Sequence, residues 1–292
     1  MKTRMSTLAL GIAFAFGSGI AIAANDGDID QRGYDNQSYI TQNDNRSTSA
    51  TINQHGNDNI ATITQDENTG SSALVDVWKG NSDNSTIVQK KTGNSTASIW
   101  VIDGNHNTNT IDQVKTNTTT AYMTLTGNHG TNDITQSHVN YSSAEIDQSA
   151  NNSNTYIEQG QWGSRHDGKF QNAYINQHSG SDQTANIVQK GAYLEASITQ
   201  GGSKWSRNGN TANINQLGTG DRYNERNIAY VSQQGSSNIR NTEQNGRDLY
   251  SNISQTGHDN YANVVQSGAN HSSDILQFGS GNHAVVTQHG YR

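Results

Sequence analysis

Asp26, Asp28 and Asp30 stand at alternate positions, the spacing at which a calcium-binding loop presents its first carboxylates. Such a loop needs glycine sixth and glutamate twelfth, and those places hold Gln31 and Gln37. Gly218, Thr219, Gly220 and Asp221 resemble a fragment of a calcium-binding nonapeptide, a motif that works in tandem; here it occurs once. Glu145 and Asp147, beside Ser142 and Ser143, offer the raw material of a hydrolytic pair, which alternating polar residues produce by default. The ten histidines, among them His55, His106, His129, His258, His283 and His289, offer surface metal capture. Most of them fall where the chain turns, and a solvated imidazole is the plainer reading. The chain has no cysteine and so no thiolate chemistry. No catalytic residue, metal site or cofactor is expected, and the chain reads as a non-enzyme.

The side chain with the most regular spacing is a primary amide. Glutamine recurs at Gln31, Gln42, Gln54, Gln65, Gln89, Gln113, Gln136, Gln148, Gln159, Gln177, Gln189, Gln200, Gln216, Gln233, Gln244, Gln255, Gln266, Gln277 and Gln288. Val77, Val101 and Leu125 occupy the same frame where glutamine is replaced. These 22 positions lie mostly 11 or 12 residues apart, so two consecutive units make a repeat of about 23 residues, eleven times over. An amide donates and accepts at once, and identical amides stacked at strand spacing form a hydrogen-bonded ladder. Such a ladder is the structural chemistry these residues can do.

The elements that would position the amides follow from the positions between them. Two residues before each anchor the chain is apolar, from Ile29 and Ile40 through Val264, Ile275 and Val286, with Thr242 the exception. Four before, it is usually alanine, as at Ala50, Ala61, Ala73, Ala97 and Ala262. Polar residues fill the gaps. Period two is the signature of a strand with one buried and one solvated face. Glycine and asparagine after the anchors, as in Gly56, Asn57 and Asn59, suit tight turns. With 30% hydrophobic residues and a mean hydropathy of -0.85, a conventional core cannot be built. No proline interrupts a ladder. The predicted fold is all-β: a cross-β, amyloid-like β-solenoid of about eleven strand-turn-strand rungs with Gln/Asn ladders.

Alternate anchors belong to the same strand of successive rungs. Val77, Val101 and Leu125 therefore form one apolar stretch in one of two amide columns. Arg240 and Thr242 occupy inward positions, where a charge is costly to bury; a frayed, weak rung or a register shift that buries Ile239 is expected. Tyr39, Tyr122, Tyr156, Tyr174 and Tyr230 fall on outward positions. They suit a carbohydrate-binding or lateral-packing surface, or simply the β-propensity of tyrosine. Three long connections, at 160–172, 201–211 and 217–228, carry Trp162, His166, Lys169, Phe170, Lys204, Trp205, Arg207, Arg222, Tyr223 and Arg226.

Lys2 and Arg4, the apolar run from Leu8 to Phe16, and Ala21, Ile22 and Ala23 form a secretory signal pattern with cleavage before Ala24. The expected organisation is a signal peptide over 1–23, regular repeats over 24–160, repeats with longer insertions over 161–245, and regular repeats over 246–292. A net charge of -7 argues against nucleic-acid binding, and no transmembrane segment is expected in the mature chain.

Gln54, Gly56, Asn59, Ala61 and Gln65 resemble the curlin repeat of bacterial curli subunits, Gln-x-Gly-x-x-Asn-x-Ala with a second Gln eleven after the first. Gln255, Gly257, Asn260, Ala262 and Gln266 fit the same pattern, as do Gln277, Gly279, Asn282, Ala284 and Gln288. Looser copies cover almost the whole remainder, roughly twice the repeat number of the familiar subunits. The resemblance implies a fibre subunit or nucleator, exported through the outer-membrane curli pore of a Gram-negative bacterium with its accessory factors. It also implies self-assembly at the cell surface with a curli nucleator or major subunit as partner, and a role in biofilm matrix and adhesion. The alternative is a monomeric β-solenoid adhesin or surface/carbohydrate-binding module, which would need capped ends.

Overall fold

The computed structural model describes residues 25–161, 168–202, 209–218 and 225–290. The proposed signal peptide, Trp162, His166, Lys204, Trp205, Arg207, Thr219, Gly220, Asp221, Arg222 and Tyr223 lie outside them. Among the described residues there are strands and no helix, and so none long and apolar enough to cross a membrane. The strands are β1 (Asp26–Tyr34), β2 (Gln37–Asn43), β3 (Ser49–Asn57), β4 (Ile60–Asp66), β5 (Ser72–Asn81), β6 (Asn84–Lys90) and β7 (Thr96–Val101). They continue with β8 (Thr108–Val114), β9 (Thr120–Leu125), β10 (Thr131–Ser137), β11 (Val139–Asn140), β12 (Ser143–Gln148), β13 (Asn154–Gly160) and β14 (Gly168–His178). The last are β15 (Thr184–Lys190), β16 (Ala192–Gly202), β17 (Thr211–Gly218), β18 (Asn227–Ser236), β19 (Ile239–His258), β20 (Tyr261–Ser280) and β21 (His283–His289).

Every pairing is parallel and joins a strand to its equivalent one rung on, as β1 to β3 and β2 to β4; the short β11, and the long β19 and β20 that each serve both columns, only shift the numbering. That is the geometry of a solenoid: each rung contributes one strand to each of two facing columns and then climbs to the next. Column A runs through β1, β3, β5, β7, β9, β12, β14, β16, β18 and the C-terminal halves of β19 and β20. Column B runs through β2, β4, β6, β8, β10, β13, β15, β17, the N-terminal halves of β19 and β20, and β21. The repeat frame sets the register. Gln31 pairs with Gln54 and Ile29 with Ile52; Gln266 pairs with Gln288 and Ala262 with Ala284. Identical side chains therefore stack on identical side chains. The alanines and isoleucines of both columns make one continuous core, with Ile52, Ile87, Ile134 and Ile187 fully buried between the columns. A single rung has nothing above or below to satisfy its backbone, so stability accrues by stacking.

The turns keep the rungs at strand spacing, and this constrains particular glycines. Gly56 has φ +146° and Gly257 φ +124°, and a Cβ on either would stand 1.9 Å from the carbonyl oxygen of the glycine one rung on, Gly80 or Gly279. Only glycine lets the chain corners approach that closely.

Two expectations change. The strand bearing Arg240 is neither frayed nor shifted: Arg240 pairs with Ala212 and Ala262, and Ile239 stays outside at 45% exposure. The guanidinium is wholly buried. Its Nε donates to Gln255 Oε1 (2.5 Å), Nη1 to the Ile253 carbonyl (3.2 Å) and Nη2 to the Gln255 carbonyl (3.3 Å). Thr242, smaller than the isoleucine of the regular unit, leaves the room it fills. All three partners are neutral oxygens, and burial pushes the guanidinium down to about 8. The first long connection is also partly strand, because β14 begins at Gly168 and sets Lys169 in register with Ala192.

Candidate functional site

The amide ladder is the built feature that runs the length of the molecule. In column B, Gln42 donates from Nε2 to Gln65 Oε1 at 2.8 Å, Gln65 to Gln89 at 2.8 Å, Gln89 to Gln113 at 2.8 Å and Gln113 to Gln136 at 2.7 Å. The run continues through Gln159, Gln189, Gln216, Gln244 and Gln266 to Gln288. Each bond points the same way. The direction is fixed by the second hydrogen, which goes to a backbone carbonyl of the facing strand: Gln65 to Ser49 (3.1 Å), Gln159 to Ser143 (2.8 Å), Gln266 to Tyr250 (2.8 Å). A carbonyl can only accept, so the amide atom facing it is nitrogen, and the oxygen is left for the preceding rung. The column is a polar wire with a donor end at Gln288 and an acceptor end at Gln42.

Column A is continuous only from Gln177 through Gln200, Gln233 and Gln255 to Gln277. Val77, Val101 and Leu125 stack on one another, fully buried, below Gln148 and above Gln54. The two flanking amides are satisfied sideways. Gln54 best fits with its oxygen toward the Ala61 N–H (3.1 Å) and its nitrogen toward Ser38 Oγ (2.7 Å). Gln148 turns its Nε2 to the Ser153 carbonyl at 2.9 Å, which leaves Gln177 Oε1 buried without a partner among the described residues.

The interruption has a counterpart that the frame of glutamines alone did not reveal. An anchor of one column faces the alanine position of the other, as the contact of Gln54 with Ala61 shows. Across from Val77, Val101 and Leu125 those positions hold Ser85, Asn109 and Asn132, and across from Gln148 stands Thr155. They form a ladder of their own: Asn109 Nδ2 donates to Ser85 Oγ (3.3 Å), Asn132 Nδ2 to Asn109 Oδ1 (3.0 Å) and Thr155 Oγ1 to Asn132 Oδ1 (2.6 Å). The polar group has changed strands. The signal was present in the sequence as lapses of the alanine rule in the rungs that lack glutamine.

Asparagines in the corners stack likewise. Asn57 bonds to Asn81 (3.1 Å), Asn81 to Asn105 (2.8 Å) and Asn105 to Asn128 (3.0 Å). A second corner line accepts from backbone N–H groups: Asn260 N–H donates to Asn238 Oδ1 (3.2 Å) and Asn282 N–H to Asn260 Oδ1 (3.0 Å).

Asp26, Asp28 and Asp30 lie in extended β1, opposite Ser49, Thr51 and Asn53, not in a loop. Among the described residues no cluster of three or more His, Asp or Glu could hold a metal ion. Glu145 and Asp147 point outward on β12. His106 and His129 stack 4.8 Å apart in neighbouring turns, and His55 packs on Trp78. Tyr39 and Tyr122 are exposed; Tyr156, Tyr174 and Tyr230 are half-buried. Burial first, then the hydrogen-bonded carboxylate of Glu158 or Glu195, pushes Tyr156 and Tyr230 up to about 12. Tyr141, Phe170 and Tyr193 stack at 5.5 and 5.3 Å along one corner, an alignment hidden in the sequence by the long connection between the first two.

Residues 257–290, which hold the end of β19, β20 and β21, match the family described as curlin associated repeat. No curated protein matches the chain.

Proposed function

From the match of residues 257–290 to the curlin associated repeat, and from the recurrence of the same frame along the chain, we propose that this is a curlin-repeat protein and a structural subunit or nucleator of an extracellular, curli-type amyloid fibre. The observation that carries the reading is the one-way amide column from Gln42 to Gln288. Its two ends are complementary. Stacked in the same sense on a second copy, Gln288 meets Gln42, the donor end of column B finding its acceptor end. Ile29, Ile40, Ala284 and Val286, which pack against the core from one side only, become covered on both. Such a contact is heterologous and does not close, so it propagates. The partners are further copies of this chain and a curli nucleator or major subunit, reached after secretion through an outer-membrane export pore. The setting is a biofilm matrix that adheres to surfaces.

The test is incubation of the purified protein. The expected product is thioflavin-positive fibres with reflections near ~4.7 Å and ~10 Å, growing faster when seeded with fragments of themselves. A protein that remains folded and monomeric for days, seeded or not, overturns the reading in favour of a solitary adhesin.

A further inference from the structure

One corner line of the solenoid contains a residue that breaks its chemistry while keeping its geometry. Asn36, Asn59, Asp83 and Asn107 occupy successive rungs. Each offers its Oδ1 to the backbone N–H of the next: Asn59 N to Asn36 (3.0 Å), Asp83 N to Asn59 (3.0 Å), Asn107 N to Asp83 (2.8 Å). The other side-chain atom has a second duty. Asn36 Nδ2 donates to the Gly56 carbonyl (2.8 Å), Asn59 Nδ2 to the Gly80 carbonyl (2.9 Å) and Asn107 Nδ2 to the Gly127 carbonyl (2.9 Å), each one rung on.

At Asp83 that second atom is an oxygen. It takes the same place: a Cβ on Gly80 would meet Asp83 Oδ2, as one on Gly56 would meet Asn59 Nδ2 and one on Gly104 would meet Asn107 Nδ2. The register directs it toward the Gly104 carbonyl. An ionised carboxylate can only accept, and so can a carbonyl. Asp83 is 1% exposed, and its Oδ2 has no hydrogen-bond partner among the described residues. The orphan atom is the one that an asparagine would use to donate.

We infer that Asp83 is a proton-operated rung: protonated on Oδ2 it completes the corner line as asparagine does, and ionised it sets two acceptors against each other and loosens the corner between β5 and β6. The charged and titratable groups on the stacked turns are His55 and Asp58 one rung back, Lys79 on its own turn, and Asp103 and His106 one rung on. Burial pushes the Asp83 carboxyl up to about 6, against the lowering effect of the Asn107 hydrogen bond and of His106. A raised carboxyl means that the folded corner holds a proton where the unfolded one releases it. The stability it contributes is present below the unfolded value of 3.8 and is lost as pH rises through about 6. Mildly acid surroundings tighten this part of the solenoid and neutral ones slacken it.

The experiment is hydrogen exchange on the folded protein at pH 5 and pH 7, read as protection factors for the 78–84 and 102–108 turns. The expected protection is about tenfold higher at pH 5, whereas Asp83→Asn, with its amide in place, keeps high protection at both. The reciprocal variant Asn59→Asp should confer the same pH dependence one rung back, so the idea stays testable if either variant folds poorly. Parallel pH profiles for the wild type and Asp83→Asn overturn it. So does restored protection at pH 7 on adding calcium alone, which would assign the carboxylate to a cation rather than to a proton.

Discussion

If the polar group has changed strands in the three interrupted rungs, Val101 and Asn109 must behave as a coupled pair. Asn109→Ala removes one donor and one acceptor from a fully buried ladder, so Asn132 Nδ2 loses its acceptor and Ser85 Oγ its donor. At ~1 kcal/mol for each lost bond and up to ~2 more for the orphaned groups, the cost is about 2–4 kcal/mol. Val101→Gln adds a long amide to a wholly buried site between Val77 and Leu125. Neither neighbour can pair with it, and overpacking adds about 1–3 kcal/mol to a similar desolvation cost. The double variant recreates the regular Gln/Ala pairing within that rung. The new amide occupies the space that Asn109 vacates and can accept from Asn132. The expected coupling is therefore at least ~1 kcal/mol in favour of the double variant, well beyond the ~0.5 kcal/mol within which independent sites add. The assay is the guanidinium midpoint of the β-sheet circular dichroism signal for the wild type, both single variants and the double. Additive losses would refute the exchange of roles, and so would a Val101→Gln chain as resistant as the parent.

Gln113→Leu cuts the unbroken column: Gln89 Nε2 keeps its backbone carbonyl acceptors but loses its ladder acceptor, and the fully buried Gln136 Oε1 loses its donor; a loss of about 2–3 kcal/mol is expected by the same denaturation assay. Arg240→Ala with Thr242→Ile restores the regular unit and removes a buried charge held only by neutral oxygens, and a gain of about 1–4 kcal/mol is expected. Because the folded guanidinium is lowered from 12.5 to about 8, the unfolded chain binds the extra proton between those values. Wild-type stability should thus rise with pH above about 8 relative to the double variant, as paired melts at pH 7 and pH 9.5 would show. Gly257→Ala should destabilise by more than ~1 kcal/mol and slow fibre growth, since its Cβ meets the Gly279 carbonyl at 1.9 Å; unchanged melting would count against the close corner approach.

Period-two alternation around a recurring glutamine was enough to read the fold, because in a stacked structure each rung repeats the environment of the last. The two columns, the rung number and the apolar stretch at Val77, Val101 and Leu125 all follow from that frame. What escaped were features that depend on facing across the interior rather than on stacking. Asn109 looks like a lapse of the alanine rule until Val101 is seen opposite. Arg240 looks like a rupture until Gln255, on the facing strand, supplies oxygen to its Nε and Nη2 and Thr242 supplies the room. The Tyr141, Phe170 and Tyr193 stack was invisible for another reason: insertions shift spacing in sequence without shifting height in the solenoid.

The grouping of the three replacements is itself informative about how such a ladder tolerates change. A single apolar residue in an amide column creates two broken ends, one donor and one acceptor, and three scattered replacements would create six. Placed in consecutive rungs, Val77, Val101 and Leu125 create only two, at Gln54 and Gln148. Gln54 finds Ser38 and the Ala61 N–H, and Gln148 finds the Ser153 carbonyl. The remaining defect is the one unpartnered oxygen of Gln177. Column B cannot be interrupted in the same rungs, because the facing positions that would carry its displaced amides are Ala73, Ala97 and Ala121, packed tight in the core. One column therefore absorbs variation while the other keeps its direction. Both are glutamine again at Gln31 and Gln42 and at Gln277 and Gln288, the rungs at which a second copy would have to join.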